Sequence, residues 1–333
     1  MVTKRHFGVT KNGTDVYAYT MTNGRKISVT VLDYGATLQS VVLPHKGGFV
    51  DIVLGYDTIE EYEQNDGYLG ASIGRFAGRI PDSLLRIGND VFPVTANEGK
   101  NQLHGGNVGF DKRVWNDPDC NIQLKEKNVV QLSVVSYDGE EGYPGNVRFI
   151  TEYVLKGNSL EVMYLGLTDR MTAWNPTNHA YWNLNGHDAG DTRGHRLEIP
   201  ADHYVPVGPD AIPTSGETDV TGTRFDFRTM REIGDTYDHS FVLSGSPITL
   251  IGNRGIGMEI RTNCKAVQFY NAKYLSERKG KGGAIYRPYG AVCLETEGRQ
   301  TQRDMTIAEE NILVPQMMFD QRITKYKFLY EEN

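Results

Sequence analysis

Apolar and polar residues alternate along much of this chain, in short runs that end at Gly, Asn, Asp or Pro. An alternation with a period of two predicts β-strands that bury one face and expose the other. Two such runs flank Lys156-Gly157-Asn158, which predicts a β-hairpin. The clearest other runs lie at 25–35, 36–44, 129–139, 195–207 and 265–275. The pattern therefore predicts an all-β fold.

Helical patterns are weak. The best candidate is "TIEEYEQNDG", residues 58–67, which predicts about two turns that end at a glycine. Turn signals recur at the spacing of a sandwich or barrel, not of βαβ units. Because no Pro- or Ser-rich linker and no fixed repeat divides the chain, we expect one all-β domain over residues 1–333.

Two polar segments are predicted to lie at the surface. The glycine- and lysine-rich segment "SERKGKGGAIYRP", residues 276–288, is expected to be a mobile, solvated loop. The stretch "RQTQRDMTIAEEN", residues 299–311, is expected to form another loop or a short helix. A final strand is predicted at "KYKFLY", residues 325–330.

Charge and cysteine content narrow the classes of function. The chain has 333 residues, of which 39% are apolar, and a net charge of −7, which argues against a nucleic-acid or anionic-membrane surface. Cys120, Cys264 and Cys293 are scattered, without CxxC spacing, so a disulfide framework is not expected. No signal peptide and no apolar run of membrane-spanning length is present. We expect a cytoplasmic protein that handles a small neutral molecule.

The segment "NPTNHAYWNLNG", residues 175–186, places a histidine among amides and aromatic rings. If the segment is one strand, His179, Tyr181 and Asn183 share a face, and Asn178, Ala180 and Trp182 share the other. An imidazole, a phenol and an amide on one face indicate a functional surface. The structural alternative is a core histidine that hydrogen-bonds to asparagine, and the pattern alone leaves both readings open.

The sequence motifs of several common enzyme classes are absent. There is no phosphate-binding P-loop, no GxSxG and no HExxH, and "GNRGIG" at residues 252–257 has the wrong glycine order for a dinucleotide site. Histidines recur every eight residues at His179, His187, His195 and His203. Metal ligands on one element are normally closer together, so this spacing indicates hairpin length and no metal site is predicted.

Four further segments combine charged residues with glycine or aromatic residues: "GYLGASIGRFAGRI" (67–80), "KNQLHGGNVGF" (100–110), "TYDHSFVL" (236–243) and "GAVCLETEG" (290–298). Their candidate side chains are Arg75, Arg79, His104, Asp238, His239, Glu295 and Glu297. Each has a structural alternative, such as an arginine that braces turns or a carboxylate in a surface ion pair. Together they suit a sugar, whose ring stacks on aromatic faces and whose hydroxyls accept and donate hydrogen bonds.

The sequence resembles the aldose 1-epimerase (mutarotase) family. The matching stretches run in the family's order from about residue 32 to 297, and the most specific are "NQLHGG" and "NPTNHAYWNL"; others are "LDYGATLQSVVLP", "GRFAGRI", "DGEEGYPGN", "YDHSFVL", "VQFYNAKYL" and "CLETE". The resemblance implies an isomerase with a large antiparallel β-sandwich (the galactose mutarotase-like supersandwich), an open groove and no cofactor.

The resemblance also implies roles for six residues. His179 matches the general acid and Glu295 matches the general base of anomer interconversion. The residues that match sugar-binding positions are Arg79, His104, Asp238 and Gln268. Our own inference is that Asn178 and Tyr181 orient the imidazole of His179. The expected partner is a small-molecule aldose, bound by a monomer or homodimer.

Several positions depart from the family's pattern, and two of them bear directly on the predicted site. Gly78 stands where the family often has an asparagine, so one hydrogen bond to the sugar is missing or comes from water. Glu297 stands where a glutamine is common, and we expect that it raises the pKa of Glu295 or else pairs with Arg299.

Two alternative functions stay open at this point. One is a carbohydrate-binding protein without turnover. The other is an epimerase of a disaccharide or a sugar phosphate. The sugar-phosphate form requires a basic rim, for which Arg75, Arg79 and the 276–288 segment are candidates.

Overall fold

Alternating segments of the chain form three larger antiparallel sheets. The computed structural model describes residues 1–64, 66–117, 128–214, 216–245, 247–299, 307–315 and 320–331. A five-stranded meander contains, in order, Val2–Val9, Asp15–Thr22, Ser28–Leu32, Thr37–His45 and Gly48–Asp51. An eight-stranded sheet has the order Val129–Ser136, Val147–Lys156, Ser159–Thr168, Asp320–Leu329, Gly257–Thr262, Ile248–Ile251, Arg196–Glu198 and Arg231–Glu232.

The third sheet has five strands and carries most of the chemistry. Its order is Thr218–Asp219, His203–Tyr204, Asp238–Val242, Ala266–Tyr270 and Cys293–Glu297. Five two-stranded ribbons complete the described strands: Arg79–Ile80 with Gln102–Leu103, Ser72–Ile73 with Thr177–Asn178, Thr172–Ala173 with Ile312–Leu313, Leu84–Ile87 with Asp90–Pro93, and Arg278–Lys279 with Ile285–Tyr286.

Alternation in the sequence becomes alternation in burial. Along Val147–Lys156 every second residue is buried, from Val147 to Leu155. The predicted hairpin is confirmed, since Lys156 pairs with Ser159 across a turn in which Gly157 has φ of 60°. Glycine adopts this left-handed conformation without the steric cost of a Cβ atom. The inward faces of all three sheets join one apolar cluster, so the fold is the predicted antiparallel β-sandwich.

Helices are few and short among the described residues. The α-helix spans Ile59–Glu63, where Thr58 and Glu61 form a capping box. It is shorter than the expected two turns and ends at Gln64, before Gly67. Short 3₁₀ turns lie at Pro81–Ser83, Phe110–Lys112, Glu140–Gly142, Lys281–Gly283 and Glu309–Asn311. No described helix has the length and apolar character needed to cross a membrane.

Most of the 276–288 segment is exposed, as its composition predicts, but it is not only a loop. It forms the Arg278–Lys279 ribbon with Ile285–Tyr286, and Lys281 is buried. The Nζ atom of Lys281 lies 2.7 Å from Oδ2 of Asp51, and it also donates to the backbone carbonyl of Gln39. The burial of Lys281 was not predicted, because a local composition does not reveal an ion-pair partner on a distant strand.

Predictions for the C-terminal region fall partly outside the described residues. Of the 299–311 segment, residues 300–306 lie outside them, as does Cys120. The predicted final strand is confirmed as part of Asp320–Leu329. Cys264 and Cys293 are buried free thiols.

Candidate functional site

One pocket of about 670 Å³ lies against a face of the third sheet. Ser240, Gln268 and Glu295 are cross-strand neighbours in register, so their side chains form one row on this face. All six residues predicted for the site line the pocket: Arg79, His104, His179, Asp238, Gln268 and Glu295. The volume is within the usual range for small-ligand sites.

His179 and Glu295 meet at the base of this pocket. Their side chains are almost fully buried, and Nε2 of His179 lies 3.6 Å from Oε1 of Glu295. Nδ1 of His179 is buried and has no hydrogen-bond partner among the described residues. Nε2 is therefore the ring nitrogen placed to exchange a proton with Glu295 or with a ligand oxygen.

The imidazole of His179 is held by two rings and by its own backbone. Tyr181 stacks on it with centroids 5.0 Å apart, and Tyr68 lies near-parallel at 5.9 Å. The backbone N–H of His179 donates to the carbonyl of Ala71 at 2.8 Å. This stacking supports the inference that Tyr181 positions the imidazole. Asn178 does not contribute in this way, since its amide donates hydrogen bonds to the carbonyl of Gly70 and the hydroxyl of Tyr153.

The alternation around His179 predicts one continuous strand. The structure instead shows short, separate strand contacts in this segment. Thr177–Asn178 pairs with Ser72–Ile73, and Trp182 forms isolated bridges to Val53 and Val292. Irregular backbone between these contacts lets His179 and Tyr181 both face the pocket. Asn183, predicted on the same face, donates instead to the carbonyls of Gly190 and Gly290.

Burial shifts the pKa values of the pair in opposite directions. Loss of solvent lowers the pKa of His179 to about 4. Loss of solvent, and then the negative charges of Glu297 and Asp238, raise the pKa of Glu295 well above its ordinary value. Between these two pKa values the pair holds one proton. The expectation that Glu297 raises the pKa of Glu295 is confirmed, while Arg299 pairs with Glu310 at 2.8 Å.

His104 is fixed as a hydrogen-bond donor. The backbone N–H of Gly78 donates to Nδ1 of His104 at 3.2 Å, and the backbone N–H of His104 donates to the carbonyl of Gly78 at 3.1 Å. Burial lowers the pKa of His104 well below its ordinary value, so its ring is neutral. With Nδ1 acting as an acceptor, the proton must be on Nε2. His104 thus offers an N–H group to a ligand oxygen.

Asp238, Gln268 and Arg79 are held by polar partners. The amide of Gln268 donates to Oδ1 of Asp238 at 2.7 Å. Burial raises the pKa of Asp238, and the nearby Arg79 opposes this rise. Nε and Nη2 of Arg79 donate to the two carboxylate oxygens of Glu98 at 2.6 and 2.8 Å. Bidentate pairing orients the guanidinium, so Glu98 is a site residue that sequence reasoning missed.

The sequence analysis did not identify Tyr68 and Glu98 as site residues, and only Tyr68 had a recognisable sequence signal. Tyr68 lies in the glycine-rich 67–80 segment, and its ring packs on both His104 and His179. Its aromatic character beside four glycines could have marked it. Glu98 lies in a turn without any motif, and only the fold shows that it faces Arg79.

Arg75 does not approach the pocket, although the sequence grouped it with Arg79. It is buried, and it donates to Oγ of Ser136 and to the carbonyls of Tyr137 and Pro144. The bracing alternative is correct, and the basic rim required for a sugar phosphate lacks this residue.

A metal site is not favoured by the donor set. His187, His195 and His203 are not among the residues lining the pocket. The group with converging ligand atoms is His104, His179 and Glu295, within 4.8 Å of one another. With its Nδ1 accepting from Gly78, neutral His104 presents Nε2–H, which has no lone pair for a cation.

We therefore expect activity to persist after chelation. Dialysis against EDTA should change the rate of the anomer interconversion that the sequence resemblance implies by less than about twofold, since proton transfer between side chains and a sugar needs no Lewis acid. The measurement compares dialysed enzyme with and without added Zn²⁺. A loss of activity on chelation that Zn²⁺ restores would contradict the donor assignment of His104.

Comparisons with known proteins identify similar chains. A family model described as Aldose 1-epimerase matches residues 17–299. The chain is 36% identical over 304 residues to an aldose 1-epimerase of Haemophilus influenzae, covering 86% of this chain and 87% of that protein. It is 35% identical over 312 residues to a galactose mutarotase of Homo sapiens, covering 89% and 90%. A solved galactose 1-epimerase from Lactobacillus acidophilus has a TM-score of 0.85 at 27% identity, covering 98% of each chain.

Proposed function

The chain belongs to the aldose 1-epimerase family, and we propose that His179 and Glu295 transfer the protons of its reaction. The protein is an isomerase that interconverts the α and β anomers of aldoses, as the sequence predicted. The observation that carries the assignment of the two residues is the 3.6 Å separation of Nε2 and Oε1 inside one pocket.

Anomer interconversion requires the hemiacetal ring to open. A base takes the proton from the C1 hydroxyl while an acid protonates the ring oxygen, and the bond between them breaks to give an aldehyde. After rotation about C1–C2, the C5 hydroxyl adds to the other face of the aldehyde. The acid and base then exchange roles. Because both oxygens are bonded to C1, they lie close enough to meet Glu295 and His179 at the observed separation.

The shifted pKa values suit these roles. A lowered pKa makes the imidazolium of His179 a stronger acid, and a raised pKa makes the carboxylate of Glu295 a stronger base. The reactive form has its proton on His179. It contains the same number of protons as the form with neutral His179 and protonated Glu295. No net proton uptake is therefore needed to reach it.

The pH profile tests this shared proton. We expect kcat/KM to fall as pH decreases through about 4, where a second proton removes the base, and to stay flat above that pH until the raised pKa of Glu295 is reached and the shared proton is lost. Independent groups with ordinary pKa values would instead lose the acid as pH rises through about 6.5. Polarimetry, corrected for the uncatalysed reaction, measures the profile. Titration of the His179 ring near the ordinary pKa of histidine, followed by NMR, would contradict the shared proton.

Three side chains bind the substrate in this proposal, and a fourth orients one of them. Arg79 and the Nε2–H group of His104 donate to sugar oxygens, while Asp238 accepts from a hydroxyl and Gln268 fixes Asp238. Similar proteins are named galactose mutarotase, which supports galactose as a substrate beside glucose. The comparisons do not favour a protein without turnover, or an epimerase of disaccharides or sugar phosphates. Initial rates for galactose, glucose, xylose, maltose and lactose test the preference.

The remaining expectations concern partners and location. The net charge of −7 supports the absence of nucleic-acid and membrane partners. The buried free thiols of Cys264 and Cys293 support a reducing, cytoplasmic location. We also keep the proposal that the protein is a monomer or a homodimer.

A further inference from the structure

The residues that line the pocket include more acids than cations. The cations of its lining are Arg79, Lys100 and Arg278. Its acids are Asp66, Glu98, Asp210, Asp238, Glu295 and Glu297. The imidazoles of His104 and His179 add no charge at neutral pH, because burial lowers both pKa values. Acidic residues thus dominate the pocket wall.

Each cation of the lining already holds a carboxylate. Arg79 lies 2.6 Å from Glu98. Arg278 lies 2.6 Å from Asp66. The third cation, Lys100, lies at the same distance from Asp82. Neutralised cations attract an anionic ligand weakly, since binding it requires competition with the existing carboxylate.

Two carboxylates of the lining, Asp238 and Glu295, have no such ion pair. Asp238 accepts from the neutral amide of Gln268, and Glu295 faces the imidazole of His179. Among the residues that the structure describes, no lysine or arginine lies within ion-pair distance of Asp238 or Glu295. Where the sugar ring would lie, the pocket therefore presents Asp238 and the His179–Glu295 pair, which shares one proton, and no unpaired cation among the described lining residues.

The proposed proton transfers define where the ring oxygen of the sugar lies in the pocket. That oxygen accepts a proton from Nε2 of His179, and Nε2 lies 3.6 Å from Oε1 of Glu295. An atom within hydrogen-bond reach of Nε2 can therefore also reach Glu295. A ring oxygen has no hydrogen to donate to these groups. A ring amine that takes the shared proton from Glu295 becomes a secondary ammonium with two hydrogens, one for the resulting carboxylate of Glu295 and one for Nε2 of neutral His179.

We propose that this pocket selects ligands by charge: it binds sugar analogues in which a protonated amine replaces the ring oxygen more tightly than the neutral sugar, and it disfavours aldoses that carry a carboxylate. The proposal rests on the positions assigned to His179 and Glu295 in the proposed function. The hydrogen bond from ammonium to carboxylate is charge-assisted, and such bonds are about twice as strong as neutral ones.

The amine part is tested with two matched ligands. One is the piperidine analogue of galactose without an anomeric hydroxyl, and the other is its anhydro-alditol, which differs only in the ring atom. Titration calorimetry at neutral pH is expected to show the amine binding at least about tenfold more tightly. In Glu295→Gln this advantage should fall below about twofold, while Glu277→Gln, which removes an exposed carboxylate outside the pocket lining, should keep it.

The prediction that the pocket disfavours anionic aldoses is tested with galacturonate and galacturonamide, which have the same shape and differ in charge. We expect kcat/KM for galacturonate to be lower by at least about tenfold. Equal values for these two substrates, equal affinities for amine and anhydro-alditol, or an advantage that survives Glu295→Gln would each overturn charge selection.

Failure of this proposal is distinguishable from failure of the proposed function. Normal turnover by Glu295→Gln would remove the catalytic assignment. Loss of turnover in that variant, together with equal affinities of the wild type for the two ligands, would leave catalysis intact and reject only the selection by charge.

Discussion

Replacing Glu295 by glutamine or His179 by asparagine is expected to lower turnover by at least about a hundredfold, since each change removes one proton-transfer group. Both side chains are buried, with exposed fractions of 3% and 5%, so water cannot replace them easily. Glutamine keeps the shape of Glu295 and loses its basicity. Asparagine keeps a polar group at position 179 but cannot protonate the ring oxygen. Polarimetry of freshly dissolved α-galactose or α-glucose measures the rate.

Controls separate chemistry from folding. His187→Asn removes another partly buried imidazole, which contacts Tyr286 and does not line the pocket. We expect its turnover to stay within about twofold of wild type. Circular dichroism and thermal unfolding should show that all variants keep the fold. A folded Glu295→Gln or His179→Asn variant with near-normal turnover would refute the assignment of that residue.

The second large effect concerns stability. Arg75→Leu is expected to lower the free energy of unfolding by about 3–5 kcal/mol, because a buried, fully hydrogen-bonded cation is lost and its acceptors stay buried. Arg75 donates to the carbonyls of Ser136, Tyr137 and Pro144 at 3.1, 2.9 and 2.9 Å, and also to two hydroxyls. Burial lowers its pKa to about 10, so the group is charged at neutral pH. Urea unfolding followed by tryptophan fluorescence measures the loss.

The matched control is Arg261→Leu, at an exposed position of the Gly257–Thr262 strand. Its unfolding free energy should change by less than about 0.5 kcal/mol. Arg75→Lys keeps the charge but cannot form the planar fork of hydrogen bonds, so we expect an intermediate loss. If Arg75→Leu instead raised KM without a loss of stability, the arginine would have a ligand-binding role and the structural assignment would be wrong.

Arg75 and Arg79 show where sequence reasoning about the site reached its limit. Both lie in one glycine-rich segment, and both were candidates for contact with a ligand. Only the fold reveals that Arg75 is enclosed by the loops around Ser136 and Pro144, while Arg79 faces the pocket. The same applies to Lys281, whose ion pair with Asp51 joins strands that are distant in the sequence.

The sequence by itself determined most of the long strands, the hairpin at Gly157, the family and six of the residues that line the pocket. These features follow from local alternation, from turn residues and from short motifs, all of which are contained in neighbouring positions. The tertiary structure alone decided that Nε2 of His179 and Oε1 of Glu295 lie 3.6 Å apart. It also decided that Gly78 fixes the tautomer of His104 and that burial shifts the pKa values of the pair in opposite directions. Distances, solvent exclusion and local charge depend on packing between remote segments, which no local pattern encodes.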